Sequence, residues 1–161
     1  PFIVQNRVGL HGKVFRMFKF RTMHKDAHKL RQELSTYNKK SGPLFKLDND
    51  PRLIKGGKLI RRFSLDELLQ LINVIKGQMS LVGPRPLFDT DRQHFKKGYM
   101  RRLNVLPGMT GLLQIRDRNT DDFKIWFKYD MEYIENWNLY LDLKILVQTL
   151  PSLFNKKVQG K

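Results

Sequence analysis

Arginines and carboxylates gather in one stretch of the chain, in an arrangement that suits phosphate chemistry. Arg61 and Arg62 precede the adjacent pair Asp66 and Glu67, and Arg85 follows between two prolines. Free N–H groups at a helix N-terminus attract phosphate. Nearby cations favour the ionised form of a carboxylate, which is its nucleophilic form. We therefore expect a site that holds a phosphorylated substrate beside an ionised Asp66 and a metal ion.

The element that must position these carboxylates is predicted to be a helix over residues 65–76. Ser64 and Glu67 have the spacing of a capping box, which often opens a helix. Acidic residues in a first turn also stabilise a helix without any catalytic role. We expect Glu67 to serve the site, leaving Ser64 to cap alone. Apolar residues recur at helical spacing and predict a helix buried on most sides: Leu65, Leu68, Leu69, Leu71, Ile72, Val74 and Ile75.

The loop at residues 83–86, with the sequence GPRP, is predicted to be stiff. Each proline fixes its own φ angle and restricts the residue before it. A rigid loop that presents one arginine is suited to binding a phosphate. The alternative is a structural turn that carries Arg85 incidentally.

Residues 1–23 read as a β-hairpin, with strands at 2–4 and 14–20 and a glycine-containing turn between them. Alternation places Lys19 and Arg21 on the same face as Phe15 and Met17. From the residues alone, these two cations are interpreted as a solvated strand edge, which discourages aggregation.

The rest of the chain predicts mostly helices. Helices are expected over residues 24–40, 88–102, 123–136 and 139–154, a short buried strand over 79–82, and a turn followed by a strand over 107–115. The last helix is amphipathic and suits either a membrane interface or the core. Asp48 and Asp50 are interpreted as turn residues, and His24 and His28 as a surface pair. The predicted fold is one α+β domain, mostly helical, with a small N-terminal antiparallel β-hairpin.

Composition restricts the class of partner. The 161 residues include 31 Lys and Arg against 15 Asp and Glu, a net charge of +16. Such an excess indicates nucleic acid, an anionic membrane surface or a phosphorylated substrate. The absence of cysteine excludes disulfides and thiolate-bound metals. No run of 18 apolar residues predicts a transmembrane helix in this chain.

Residues 61–86, RRFSLDELLQLINVIKGQMSLVGPRP, resemble the signature of the bacterial sugar transferases, which are monotopic polyprenyl-phosphate phosphoglycosyl transferases. QNRVG at 5–9, KFRTM at 19–23 and PGMTGLLQI at 107–115 resemble further motifs of this family, and the resemblance extends from residue 5 to 146. Leu113 stands where the family often has an aromatic residue or alanine, and Asp117 replaces a glycine. Residues 1–161 are therefore interpreted as a sugar transferase catalytic domain, a fragment without the family's upstream membrane-embedded helix.

The resemblance implies transfer of a phospho-sugar from a UDP-sugar to polyprenyl (undecaprenyl) phosphate, with release of UMP. This is the first membrane step of exopolysaccharide, O-antigen or glycoprotein glycan assembly. It implies that Asp66 attacks the β-phosphorus to give an aspartyl-phosphosugar and that Glu67 binds Mg²⁺ and handles protons, with Asp66 as a second metal ligand. Candidate phosphate ligands are Arg61, Arg85, Lys19 and Arg21, and weaker candidates for substrate binding are Gln114, Arg118 and Asp130.

The same resemblance implies a monotopic protein at the cytoplasmic face of the bacterial inner membrane, with no nucleic acid partner. Homo-oligomerisation stays open. Two other classes of protein compete with the enzyme. A basic nucleic-acid-binding module accounts for the charge but not for the Asp66–Glu67 pair. A catalytically idle membrane-surface scaffold in a glycan assembly complex differs from the enzyme in activity and not in membrane binding.

Overall fold

The structure is a computed structural model that describes residues 2–27, 30, 47, 50–90, 97–118, 120 and 122–153. An antiparallel hairpin of β1 (Phe2–Val8) and β2 (Val14–Phe20) opens the chain. The following elements are α1 (Gly57–Arg62), α2 (Gln70–Ile75), β3 (Ser80–Val82), β4 (Gly108–Thr110), α3 (Leu112–Arg116), α4 (Phe123–Glu135) and α5 (Leu139–Ser152). Turns of 3₁₀ helix occur at Leu10–Gly12, Leu65–Glu67 and Lys97–Asn104. The predicted α+β class and N-terminal hairpin are confirmed.

The hairpin packs one face onto the core, as its alternation predicts. Phe15 and Met17 are buried and pack against Met79. The side chain of Lys19, on the same face, is only 12% exposed. The first strand continues to Val8 and is longer than predicted. Lys19 therefore points into the molecule and does not belong to a solvated edge.

The predicted helix over residues 65–76 is divided in two. Ser64 has a left-handed backbone (φ 56°) and its side chain forms no capping hydrogen bond, so the prediction that Ser64 caps is wrong. A 3₁₀ turn at Leu65–Glu67 follows, and the α-helix begins at Gln70. Left-handed backbone is costly for a residue other than glycine and occurs often at functional sites. Here it lies two residues before Asp66, the first of the two candidate carboxylates.

The burial of this segment is the opposite of the prediction. Asp66, Glu67, Gln70 and Asn73 are buried, so the polar stripe faces inward. Most of the apolar stripe faces outward, with exposed fractions of 41–87% at Leu65, Leu68, Leu71, Ile72 and Ile75, while Val74 packs against the core. An amphipathic pattern shows that two faces differ but does not show which one is buried.

Asn73 joins this segment to the free edge of β2. Its side chain is fully buried. Its Oδ1 accepts a hydrogen bond from the Phe18 backbone N–H at 3.1 Å, and its Nδ2 donates to the Arg16 backbone carbonyl at 2.8 Å. The carboxamide thus occupies the place that a neighbouring strand would take. It fixes β2 one residue before Lys19.

Replacing this amide should destabilise the fold. Asn73→Leu keeps a side chain of similar size but removes the partners of two partly buried backbone groups, and a buried polar group costs about 1–3 kcal/mol when it is left unpaired. We expect the free energy of unfolding to fall by about 3 kcal/mol in urea denaturation. The exposed Asn104→Leu is the matched control and should change it by less than about 0.5 kcal/mol. Equal stability of the two variants would contradict this role of Asn73.

The parallel strands β3 and β4 carry the GPRP loop at their end. Gly83 follows β3, and its N–H donates to the Thr110 carbonyl at 2.9 Å. A side chain on Gly83 would come within 2.6 Å of the Leu106 carbonyl, and one on Gly108 within 2.1 Å of the Gly83 nitrogen. The backbones therefore meet at a distance that only glycine permits. This close contact fixes the point from which the Arg85 loop departs.

The remaining predictions have mixed outcomes. α4 forms as predicted, and Trp126 and Tyr133 lie in the core. The turn and strand predicted over 107–115 are right only in part, because Gly108–Thr110 form β4 whereas Leu112–Arg116 form α3. The described C-terminal end of the predicted helix over 88–102 is 3₁₀ helix.

Asp50 forms the predicted turn, accepting hydrogen bonds from the backbone and guanidinium of Arg52. Most of the predicted helix over 24–40, His28 and Asp48 lie outside the described residues.

α5 packs one side against the core through Ile145, which is fully buried. Its other side is apolar and exposed, with exposed fractions of 54–75% at Leu139, Tyr140, Leu143, Val147 and Leu150. Within the described ranges, none of the helices is both long enough and apolar enough to span a bilayer.

Candidate active site

The 3₁₀ turn places both carboxylates of the predicted dyad in the interior. Asp66 and Glu67 are each 8% exposed. Glu67 Oε1 accepts hydrogen bonds from Lys19 Nζ at 2.9 Å and from Arg85 Nη2 at 2.7 Å. Lys19 Nζ also lies 4.0 Å from Asp66 Oδ2. The structure thus brings together four residues from three segments that are far apart in sequence, and Glu67 is free of the capping box, as predicted.

These side chains come from three different elements. Lys19 comes from the buried face of β2, the carboxylates come from the turn at Leu65–Glu67, and Arg85 comes from the GPRP loop. Because β2 is held by Asn73 and the loop by the glycine contacts, the charges converge on rigid supports. Such preorganisation is what a phosphate site requires.

Two further arginines act on the dyad from nearby. Arg61 Nε donates to Thr22 Oγ1 at 2.9 Å, and its positive charge acts on Asp66. Arg118 is half-buried, and its charge acts on Glu67 and Asp66. Four cations therefore surround two carboxylates, which leaves an excess of positive charge for an anionic ligand.

The two carboxyl groups differ in acidity. Burial raises the pKa of Glu67, but Arg85 and Lys19 together outweigh burial and hold that pKa well below its usual value. Burial also raises the pKa of Asp66, and Lys19 offsets only part of this effect, so the pKa stays above its usual value. Nearby cations were expected to favour the ionised form of Asp66, but at this carboxyl burial outweighs them and raises the pKa. Burial likewise lowers the pKa of Lys19.

Three predicted site residues have other surroundings. Asp130 is buried in α4 and pairs with Arg102 at 3.0 Å, and its assignment to substrate binding stays a prediction. Arg21 is partly buried and forms no ion pair with Asp66 or Glu67, all three of which are described. Gln114 is buried in α3, and its Nε2 has no hydrogen-bond partner among the described residues.

Sequence reasoning missed two residues that support this site. Asn73 continues the polar stripe of Glu67 and Gln70 at helical spacing. This spacing would have identified Asn73 if the polar face of the helix had been expected to lie inward. Arg102 holds the backbone of the Arg85 loop, donating from Nη2 to the Arg85 carbonyl at 2.6 Å. It lies in a basic run beside Arg101, so the sequence gives no sign that one of the two is buried.

The dyad supplies donors that suit magnesium. Mg²⁺ commonly uses one or two protein carboxylates and completes its shell with water and substrate phosphates. Both cationic contacts of Glu67 fall on Oε1. The carboxylate oxygens of Asp66 and the Oε2 atom of Glu67 are therefore the ones suited to bind the ion. In the described part of the chain, no group of three or more His, Cys, Asp or Glu residues forms a site built of protein ligands alone.

The sequence model of the bacterial sugar transferase family matches residues 1–156. The chain therefore belongs to the bacterial sugar transferase family.

Individual relatives of the chain carry names from glycan synthesis. The chain is 46% identical over 147 residues to the galactosyl transferase CpsE of Streptococcus agalactiae, covering 91% of this chain and 33% of CpsE.

Two other relatives show the range of the family. Identity is 42% over 151 residues to the undecaprenyl-phosphate galactose phosphotransferase of Salmonella typhimurium, covering 89% of this chain and 31% of that protein. It is 36% over 156 residues to the exopolysaccharide production protein ExoY of Rhizobium meliloti, covering 94% of this chain and 69% of ExoY. The chain thus spans about a third of the first two relatives and about two thirds of the third.

Proposed function

We propose that this protein transfers a phospho-sugar from a UDP-sugar to undecaprenyl phosphate or a related polyprenyl phosphate and releases UMP. The observation that carries this proposal is the buried Asp66–Glu67 pair surrounded by Lys19, Arg61, Arg85 and Arg118. The names of the relatives support the same reaction class. A diphosphate donor brings the negative charge that the excess of cations requires.

In the first step, an oxygen of Asp66 attacks the β-phosphorus of the donor. A bond forms between that oxygen and phosphorus, and the bond from phosphorus to the bridging oxygen breaks. UMP leaves with the bridging oxygen and its electron pair, and an aspartyl-phosphosugar remains. Asp66 suits this role because it carries fewer close cationic contacts than Glu67, so its carboxylate is less neutralised.

In the second step, a phosphate oxygen of the polyprenyl phosphate attacks the same phosphorus. The bond to Asp66 breaks, the carboxylate is regenerated, and a polyprenyl diphosphosugar forms. Arg85 and Lys19 neutralise phosphate charge in both steps, and Arg61 acts beside Asp66. Glu67 keeps Arg85 and Lys19 in position. A magnesium ion held by Asp66 and Glu67 would offset oxyanion charge when bound.

The reaction is tested by measuring UMP release from a panel of UDP-sugars with polyprenyl phosphate and magnesium. We expect release with at least one donor and its loss when EDTA removes the metal. Folded protein that releases UMP from no donor would contradict the enzyme and favour an idle scaffold. Tight, salt-dependent binding to random DNA without turnover would favour the nucleic-acid-binding module.

The exposed apolar faces support a site of action at a membrane surface, and we propose the cytoplasmic face of the bacterial inner membrane. The first face consists of Leu65, Leu68, Leu71, Ile72 and Ile75, and it begins at the dyad. The second is the outer side of α5. Apolar faces on a chain of net charge +16 fit an anionic lipid surface, which takes up apolar side chains and attracts basic ones.

Val147 should contribute to this binding. Val147→Glu removes an apolar side chain that is 70% exposed, and we expect partition onto vesicles containing anionic lipid to fall about tenfold. Gln148→Glu adds the same charge at the neighbouring exposed position and is the matched control. Sedimentation with vesicles measures both variants. The same loss for both would show that charge alone acts, and the α5 face would then not enter the lipid.

A further inference from the structure

The Arg85 loop is supported by two other arginines through its backbone. Arg102 Nη2 donates to the Arg85 carbonyl at 2.6 Å, and Arg7 Nη1 donates to the Pro86 carbonyl at 3.2 Å. Two successive carbonyls of the loop are therefore held by cationic donors, which form stronger hydrogen bonds than neutral ones. The Arg85 side chain extends from this support to Glu67, at 2.7 Å.

Arg102 is itself ion-paired with Asp130. Its Nη2 lies 3.0 Å from Asp130 Oδ2, and the two side chains are only 5% and 4% exposed. Burial raises the pKa of Asp130 to about 6, and Arg102 offsets only part of this effect. A buried ion pair is costly compared with apolar residues of the same volume. The Arg102–Asp130 pair lies behind the loop that carries Arg85, and positioning that loop is a reason for the pair other than stability.

The same two elements carry a second pair that makes a direct comparison available. Arg101 and Glu135, on the 3₁₀ helix Lys97–Asn104 and on α4, pair at 3.0 Å with side chains that are 56% and 51% exposed. This exposed pair also links the two elements, but the structure gives Arg101 no hydrogen bond to the described residues of the GPRP loop. Only the buried pair reaches Arg85.

We propose that Asp130 and Arg102 are positioning residues that act through Arg85. Asp130 orients the Arg102 guanidinium, Arg102 fixes the Arg85 carbonyl, and the Arg85 side chain is thereby held at Glu67, where it meets the phosphates of the donor. This inference rests on the proposed function for its kinetic consequence. Its structural consequence, an immobilised Arg85 side chain, does not depend on turnover.

The kinetic test compares Arg102→Lys and Asp130→Asn with Arg101→Lys and Glu135→Gln. We expect kcat/KM for the UDP-sugar to fall at least tenfold in the first two variants and less than twofold in the two controls. Thermal melting confirms that each variant folds. In an Arg85→Ala background, Arg102→Lys should have less than a twofold further effect, because residues that act through one another are not additive. A purely structural role would give additive losses.

The second measurement uses the intact protein without substrate. Phenylglyoxal modifies accessible arginines, and mass spectrometry of the peptide that contains Arg85 gives the rate at that side chain. We expect the rate to rise at least threefold in Arg102→Lys and Asp130→Asn and to stay unchanged in Arg101→Lys. An unchanged rate in all variants would overturn the inference.

The two proposals fail in different ways. If wild-type protein releases UMP but Arg102→Lys behaves like Arg101→Lys, the enzyme stands and the positioning role is overturned. If wild-type protein releases no UMP from any donor, the proposed function fails, and the modification rate at Arg85 alone decides whether Asp130 and Arg102 hold this side chain.

Discussion

Asp66→Asn is expected to lower the rate of UMP release by about 10³-fold or more, because the amide cannot form the covalent phosphosugar. The fold should not suffer, since Lys19 stays hydrogen-bonded to Glu67 and the variant removes a buried carboxyl group. Steady-state turnover with the preferred UDP-sugar measures the effect, and circular dichroism confirms folding.

The matched control for Asp66→Asn is Asp122→Asn. Asp122 is exposed and caps α4, accepting a hydrogen bond from the Lys124 N–H at 2.8 Å. Asparagine caps a helix about as well as aspartate. This variant should keep wild-type turnover. If Asp66→Asn also kept it, Asp66 would not be the nucleophile, and a direct attack by the polyprenyl phosphate on the donor would replace the two-step reaction.

Glu67→Gln is expected to affect stability and turnover together. The amide keeps the size of the side chain but leaves Lys19 and Arg85 without the charge that compensates them, and breaking a buried pair in this way costs about 3 kcal/mol. Urea denaturation at pH 7 measures this loss. Turnover should fall as well, because both cations lose their fixed position. Turnover equal to that of wild type would contradict any role of Glu67 in the reaction.

The loss in Glu67→Gln should depend on pH in a defined direction. The pKa of Glu67 is held well below its usual value of 4.5, so its contribution is fully present above pH 4.5 and disappears as the pH falls through the lowered pKa. Wild type and variant should therefore converge in stability in acid. Glu132→Gln, which breaks an exposed pair with Arg116, is the control and should cost less than about 1 kcal/mol at pH 7.

Local patterns predicted the parts of the site that depend on local backbone geometry. The alternation in β2 correctly placed Lys19 with Phe15 and Met17, and the prolines around Arg85 correctly indicated a loop that presents it. The family resemblance identified the dyad. The helix α4 followed from its apolar spacing.

What could not be predicted depends on contacts between distant parts of the chain. The segment over residues 65–76 has an apolar and a polar stripe with the same period, and only the tertiary structure shows that Gln70 and Asn73 face inward. Asp130 was assigned to the substrate because its sequence context matches the family, whereas its surroundings depend on Arg102, which is 28 residues away in sequence. No local signal distinguishes the buried Arg102 from the exposed Arg101.

The covalent intermediate is the most direct test of the proposed reaction. Protein mixed with the preferred UDP-sugar and magnesium, without polyprenyl phosphate, should release about one UMP per molecule in a burst, as a covalent step requires. Mass spectrometry should then find one phosphosugar on the peptide that contains Asp66, and addition of polyprenyl phosphate should remove it. UMP release that occurs only when the polyprenyl phosphate is present, with no adduct on Asp66, would contradict the account.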